Sequence, residues 1–419
     1  MTKRIGLPLL VLTAVAVLAT PAAGRIKLAA LPVRQRVEIQ LDNAGATLVE
    51  EERIVPLLKS TAERGNNRID FSWSNTRVDK NSILFRPLAI RAGGEFRPIR
   101  EEDGQKEVAV INTAYPPGEN ALVWEVYAAE ACAVKVRVSY LIDNLTRLFS
   151  YRALANADET HLTLRKYIVL RNYSGETFGD AGVYAGFGPR FLKPVGQQER
   201  IRMLMHKFSD VPVTKTFTFN WYAHGALNDA KPLCSKVLMH YELTNDTEHK
   251  MGTFPLQPGK VRIFIDDGAG GEAFLGEDRA SLTPIDDTMK LYLGEARDIV
   301  CKRIIETNER HHIRGNLHDQ EIVIKYEIEN FKDDPATLRI VEQLNNLGRQ
   351  YFGKTHGDVE WIRGYEGRDK TSEEITFTYP EGGTNPVLHV DLPARPEDED
   401  EKVEKVVVRF HVTLKNLWQ

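Results

Sequence analysis

The chain has 419 residues, with 55 Lys and Arg against 59 Asp and Glu, a formal net charge of −4 and 42% hydrophobic residues. That length and apolar content support two or three packed domains and exclude global disorder. The mildly acidic balance supplies no basic face for phosphate, which excludes nucleic acid as a partner.

Residues 1–24 read as a secretory signal peptide: Lys3 and Arg4, an apolar run from Leu7 to Leu18, then Ala22, Ala23 and Gly24. A bilayer-spanning helix needs about 20 apolar residues, so this run is too short for an anchor. No cysteine follows it to accept a lipid. Cleavage removes two positive charges and no negative ones, taking the net charge from −4 to −6. The expected product is exported, periplasmic or extracellular, with no stable membrane insertion after cleavage.

The segments that follow alternate with a period of two, the pattern of half-buried strands. RVEIQL (36–41) and TLVEEERIV (47–55) form an expected hairpin through DNAGA, with Gly45 supplying positive φ. LAIRAGGEFRPI and KVRIFIDDGAGGEAFLG follow the same logic. In AVKVRVSYLI, Val134, Val136, Val138 and Tyr140 share one face; in EIVIKYEIE, Ile322, Ile324, Tyr326 and Ile328 do so. EEITFTYP aligns Ile375, Phe377 and Tyr379, and the last strand aligns Val406, Val408, Phe410, Val412 and Leu414.

No segment sustains a 3.6-residue apolar repeat over three turns. The expected fold class is all-β, with two or three antiparallel β-sandwich-like domains in tandem. Boundaries are expected near residues 125 and 318. They delimit an N-terminal β domain over 25–125, a central β domain over 126–318 and a C-terminal β-sandwich over 319–419. A lipid-embedded barrel is a poor match, because strands such as AVKVRVSYLI carry Lys and Arg opposite their apolar face. The acidic stretch ARPEDEDEK (394–402) reads as a solvated hairpin loop.

Three stretches resemble a known family. Leu122–Gly186 contains a strand ending in Ser-Tyr and then Asn172, Ser174, Gly175, Glu176, Phe178, Asp180 and Ala181, in an N-x-S-G-E-x-(F/Y/W)-x-D-A pattern. FPLQPGKVRIF (Phe254–Phe264) and FLGEDRASLTPIDDTMKLYLGEARDIVCKR (Phe274–Arg303) supply two further matches. Together they resemble the domain-of-unknown-function family 4139, which includes mucoidy-inhibitor-like proteins, without that family's coiled-coil insertion. The chain departs from the family at Arg147-Leu148-Phe149, where Gly-x-x-Trp is common. The resemblance implies a β-rich fold and no catalytic residues. Physically, Asn172–Glu176 reads as a turn, in which Asn and Ser bond nearby backbone and Gly tolerates αL. Pro258-Gly259 reads as a tight turn opening a strand.

Catalytic signatures are missing: there is no H-E-x-x-H, G-x-S-x-G, P-loop, G-x-G-x-x-G or C-x-x-C. Cys132, Cys234 and Cys301 are an odd number for an exported chain; buried free thiols are expected, with a Cys132–Cys301 bridge as the alternative. His311, His312, His318 and Asp319 fall within nine residues and form the candidate zinc or copper set. Asp266, Asp267 and Glu272 form a second carboxylate group, although neighbouring strand residues point to opposite faces. Trp73 and Trp361 lie in loop-like contexts and are candidate binding contacts, whereas Trp124 reads as core. The sequons at Asn144, Asn172 and Asn245 matter only in a glycosylating pathway. The expectation is an exported, non-catalytic envelope protein without a cofactor, binding a protein or polysaccharide partner. The alternative is a carbohydrate-active or metal-dependent hydrolase with a loop-built site.

Overall fold

The computed structural model describes residues 26–27, 33–41, 45–73, 76–100, 107–221, 233–343, 360–364, 375–378, 385–398 and 401–418. The expected signal peptide lies outside them. Strands dominate, in chain order: β1 (Ile26–Lys27), β2 (Arg36–Gln40), β3 (Thr47–Leu57), β4 (Asn67–Ser72), β5 (Leu84–Arg91) and β6 (Arg97–Pro98). Then come β7 (Val108–Ala114), β8 (Ala121–Ala128), β9 (Cys132–Ile142), β10 (Leu145–Ala155), β11 (His161–Asn172), β12 (Phe178–Tyr184) and β13 (Phe191–Val195). β14 (Arg200–Pro212), β15 (Thr214–Asn220), β16 (Leu233–Thr244), β17 (Gly259–Asp266), β18 (Glu272–Ala280) and β19 (Thr288–Arg314) follow. The series ends with β20 (Leu317–Asn330), β21 (Ala336–Val341), β22 (Glu360–Gly364), β23 (Ile375–Thr378), β24 (Val387–Leu392) and β25 (Lys405–Trp418). The all-β, multi-domain expectation holds.

The chain divides into two compact units, Met1–Arg147 with Val169–Arg202, and Leu148–Ile168 with Met203–Gln419. This differs from the tandem arrangement expected from sequence: residue 125 lies inside β8 and residue 318 inside β20. The units interleave because the chain leaves the first along β10 and returns to it along β11, a neighbouring strand. A contiguous cut cannot describe such a path.

In the first unit a seven-stranded sheet, β13-β12-β2-β3-β9-β5-β6, packs on a four-stranded sheet, β1-β4-β8-β7. The inward faces meet through aromatic rings: Phe71 of β4 lies 5.3 Å from Tyr140 of β9, and Trp124 of β8 lies 4.9 Å from Phe85 of β5. Trp124 is core, as its apolar setting indicates, and Cys132 is a buried free thiol. The sheets are mixed rather than purely antiparallel. β2–β12, β10–β17 and β15–β21 pair in parallel, as do β1 and β4 over two residues. Alternation reveals which face a side chain takes and nothing about strand direction, so the sequence reading missed these pairings.

The second unit holds a five-stranded sheet, β14-β11-β10-β17-β18, and a nine-stranded sheet, β22-β25-β20-β19-β16-β15-β21-β24-β23. The two halves of the larger sheet pack on one another. Ile322, Tyr326 and Phe410 from its first half share one core with Phe219, Leu338 and Leu388 from its second. Within this core Arg303 and Glu342 pair at 2.8 Å, the Tyr326 hydroxyl donates to Glu342, and the Arg303 guanidinium lies 4.5 Å from the Trp221 ring centre. Burial, and then the Glu342 charge, drive the Tyr326 hydroxyl pKa upward. Cys301 is buried in this core.

Gly259 has an ordinary φ, so the tight turn expected there is instead a close approach. A Cβ at Gly259 would meet the Phe149 carbonyl oxygen at 2.5 Å in the parallel β10–β17 pair. Gly182 is different, because a Cβ there would meet only the tips of Arg190 and Glu38. Gly259→Ala is therefore expected to cost more than about 2 kcal/mol, and Gly182→Ala less than about 1 kcal/mol; chemical denaturation of both variants checks the order. Removing one partner of a buried ion pair strands the other charge. Glu342→Ala should cost about 3–5 kcal/mol, and an Arg303→Met/Glu342→Leu double variant clearly less. Equal losses in the single and double variants would overturn this account of the pair.

Candidate binding cleft

β3 carries the decisive irregularity. Its inward face reads Thr47, Val49, Glu51, Arg53, Val55, Leu57, so the strand period that buries the valines also buries two charges. Glu51 is 0% exposed. A buried carboxylate is tolerated only when its charge and lone pairs are satisfied. Arg53 reaches both its oxygens at 3.2 Å from the same strand, and Arg34, just before β2, contacts Oε2 as well. Burial pulls the Arg53 pKa down, against the opposing pull of Glu51.

Arg34 also pairs with Glu176, lies 3.4 Å from the Thr177 carbonyl oxygen, and stacks 5.6 Å from the Phe178 ring centre. Glu176 is presented by a rigid turn. The Asn172 side chain accepts from the Ser174 backbone N–H at 3.1 Å and from its hydroxyl at 2.7 Å. The Asn172 amide donates to the Glu176 carbonyl at 2.7 Å and the Gly196 carbonyl at 3.0 Å. Gly175 supplies φ of 88°, the left-handed conformation that glycine adopts without strain. The turn read from N-x-S-G-E is therefore present, and it also delivers a carboxylate. The Tyr140 hydroxyl lies 3.5 Å from Glu176 Oε2; burial and then Glu51 raise its pKa, with Arg34 and Arg53 opposing.

Arg34, Arg53 and Glu176 border a cleft of about 610 Å³, with Phe71, Trp73 and Tyr140 as its aromatic wall, Thr177 and Gln197 among its polar lining, and Glu51 sealed behind it. Trp73 was expected as an exposed contact. It is 8% exposed, lies 6.0 Å from Phe71, and lines the cleft. The chain Arg53–Glu51–Arg34–Glu176 alternates in sign throughout. Hydrolysis of a glycoside needs one carboxyl free to give up a proton. Here each carboxylate is engaged with arginine, an arrangement suited to holding a polar ligand.

The remaining candidates stand elsewhere. His311, His312, His318 and Asp319 occupy the β19–β20 hairpin, where His311 faces Asp319 and His312 faces His318 across the ladder. Opposed residues share a face and adjacent residues do not, so the four divide two and two. His311 bonds Glu321 at 3.1 Å, and His318 is buried with Nδ1 3.2 Å from the Asn316 carbonyl oxygen. Among the described residues no group of three or more His, Cys, Asp or Glu is placed to hold a metal ion. Trp361 lies in β22 opposite Leu414, and its side chain is outside the described set. Asp266 and Asp267 accept backbone N–H bonds from Gly268, Ala269 and Gly271, capping their hairpin, and Glu272 pairs with Arg152. The N–H groups of Ala269 and Gly271 hold the Asp267 carboxyl below its usual range.

Sequence reasoning missed Arg34, Glu51, Arg53 and the role of Glu176. The signal was present: Glu51 and Arg53 fall in phase with Val49 and Val55, and charge on the apolar phase of a strand implies a buried partner. What this defines is a mixed-sheet β-sandwich unit with a charge-compensated, aromatic-walled cleft. No protein-family model matches the chain, and no curated protein matches it.

Because Glu51 is sealed and Glu176 is at the rim, their removal should differ in effect. Glu51→Ala is expected to cost about 3–5 kcal/mol, and Glu176→Gln about 1 kcal/mol or less. Thermal unfolding of the two variants, with hydrogen exchange in β3, checks the contrast.

Proposed function

We propose that this protein is an exported, non-catalytic binding protein of the cell envelope, and that it holds a polysaccharide segment in the cleft of its first unit. The observation that carries the reading is the ion chain Arg53–Glu51–Arg34–Glu176 beside the wall of Phe71 and Trp73. Sugars offer hydroxyl pairs to fixed carboxylates and guanidinium groups, and their C–H faces to aromatic rings. The leader-like residues 1–24 support export, and the motif likeness to family 4139 supports a β-rich role without a catalytic centre. Asn172, Ser174 and Gly175 of that likeness serve to present Glu176.

Calorimetric titration of the chain from residue 25 with oligosaccharides cut from envelope polysaccharide tests the proposal. Saturable binding is expected without release of new reducing ends. Arg34→Lys and Trp73→Phe should each weaken it about tenfold, equivalent to about 1.4 kcal/mol. Steady release of reducing ends would establish hydrolysis instead, and binding indifferent to both substitutions would move the site elsewhere.

A further inference from the structure

We infer, resting on the carbohydrate reading, that the cleft selects an uncharged sugar segment of about two or three rings over uronic, sulfated or amino sugars. The charges at the site already cancel. Arg34 and Arg53 are matched by Glu176 at the cleft and by Glu51 sealed behind it, and the other described residues lining the cleft are uncharged. A ligand carboxylate or sulfate reaching Arg34 has to displace Glu176 or Glu51, leaving a protein carboxylate short of its cation in a poorly hydrated place. A ligand ammonium reaching Glu176 strands Arg34 in the same way. The penalty is steepest at the inner end, where the side chains of Glu51 and Arg53 are 0% and 3% exposed.

What the cleft offers beyond these pairs is neutral and interleaved. Ser72, Thr76 and Thr177 carry hydroxyls that both donate and accept, and Gln197 carries an amide that does the same. Sugar hydroxyls have the same dual character, so they can fill the site without disturbing the ion chain. Phe71 and Trp73 receive the apolar face of a ring, and about 610 Å³ accommodates a short oligosaccharide rather than a single ring or a folded chain.

The experiment compares a neutral hexose trisaccharide, a uronic acid trisaccharide and an amino-sugar trisaccharide of matched length, titrated into the chain from residue 25 at about 50 and about 500 mM salt. The neutral ligand is expected to bind at least about tenfold tighter than either charged one, with an affinity that salt leaves unchanged. Glu176→Gln supplies the second arm. It removes the outer partner of Arg34 and gives the cleft a net positive charge, so uronate binding should rise several-fold and become salt-sensitive while neutral binding falls. A purely structural role for Glu176 would weaken all three ligands together. Tighter, salt-sensitive uronate binding by the unaltered chain would overturn neutral selection and leave the carbohydrate reading standing. Binding of none of the three would overturn the carbohydrate reading itself.

Discussion

A carboxylate inside a β-sheet core has to be neutralised where it sits, and the first unit is organised around that requirement. Glu51 cannot turn outward, because shifting β3 by one residue would expose Val49 and Val55 and bury Glu50 and Glu52 instead. Its compensation comes from Arg53 in the same strand and from Arg34 before the adjacent β2. Arg34 in turn engages the turn that follows β11. One buried charge thus ties together segments more than 120 residues apart in sequence, because each partner left alone would be costly.

The second unit solves the same problem with a different outcome. Arg303 continues the apolar phase of Cys301, as Glu51 continues that of Val49, and its partner Glu342 comes from the chain beyond β21. There Tyr326 and Trp221 close off the pair, leaving the Arg303 and Glu342 side chains 2% and 0% exposed. In the first unit the chain of charges runs outward to Arg34 and Glu176, at 25% and 20%, along a cleft wall. The chemistry is shared, and accessibility separates a device that fixes strand pairing from one that can also meet a ligand.

The legible part of the sequence was what depends on the two-residue period. Val134 to Tyr140, Ile322 to Ile328 and Val406 to Leu414 take the faces that alternation assigns them. Topology was not legible, since period two is identical for parallel and antiparallel neighbours and for sheets built from distant segments. β12 beside β2 and β17 beside β10 illustrate this. Of the candidate site, Trp73 was marked from sequence for its loop-like setting, and it reaches the cleft as a wall residue. Arg34, Glu51 and Arg53 were not among the candidates, although Glu51 and Arg53 sit in the apolar phase of β3. The same geometry divides the four candidate metal ligands: closeness in sequence along a hairpin places successive residues on opposite faces.

The motif Asn172-Tyr173-Ser174-Gly175-Glu176 shows why architecture and binding need not be alternatives. Asn172 and Ser174 spend their hydrogen bonds on local backbone and on each other, which leaves the turn little freedom. A carboxylate on such a turn is held in place before a ligand arrives, and its orientation is fixed further by Arg34 and Tyr140. Preorganisation of this kind lowers the entropic cost of binding. It also works against catalysis by the same group, because a carboxylate already committed to a guanidinium has little left to offer a departing proton. The fixed position of Glu176 and the compensation of Glu51 therefore meet at one guanidinium, that of Arg34.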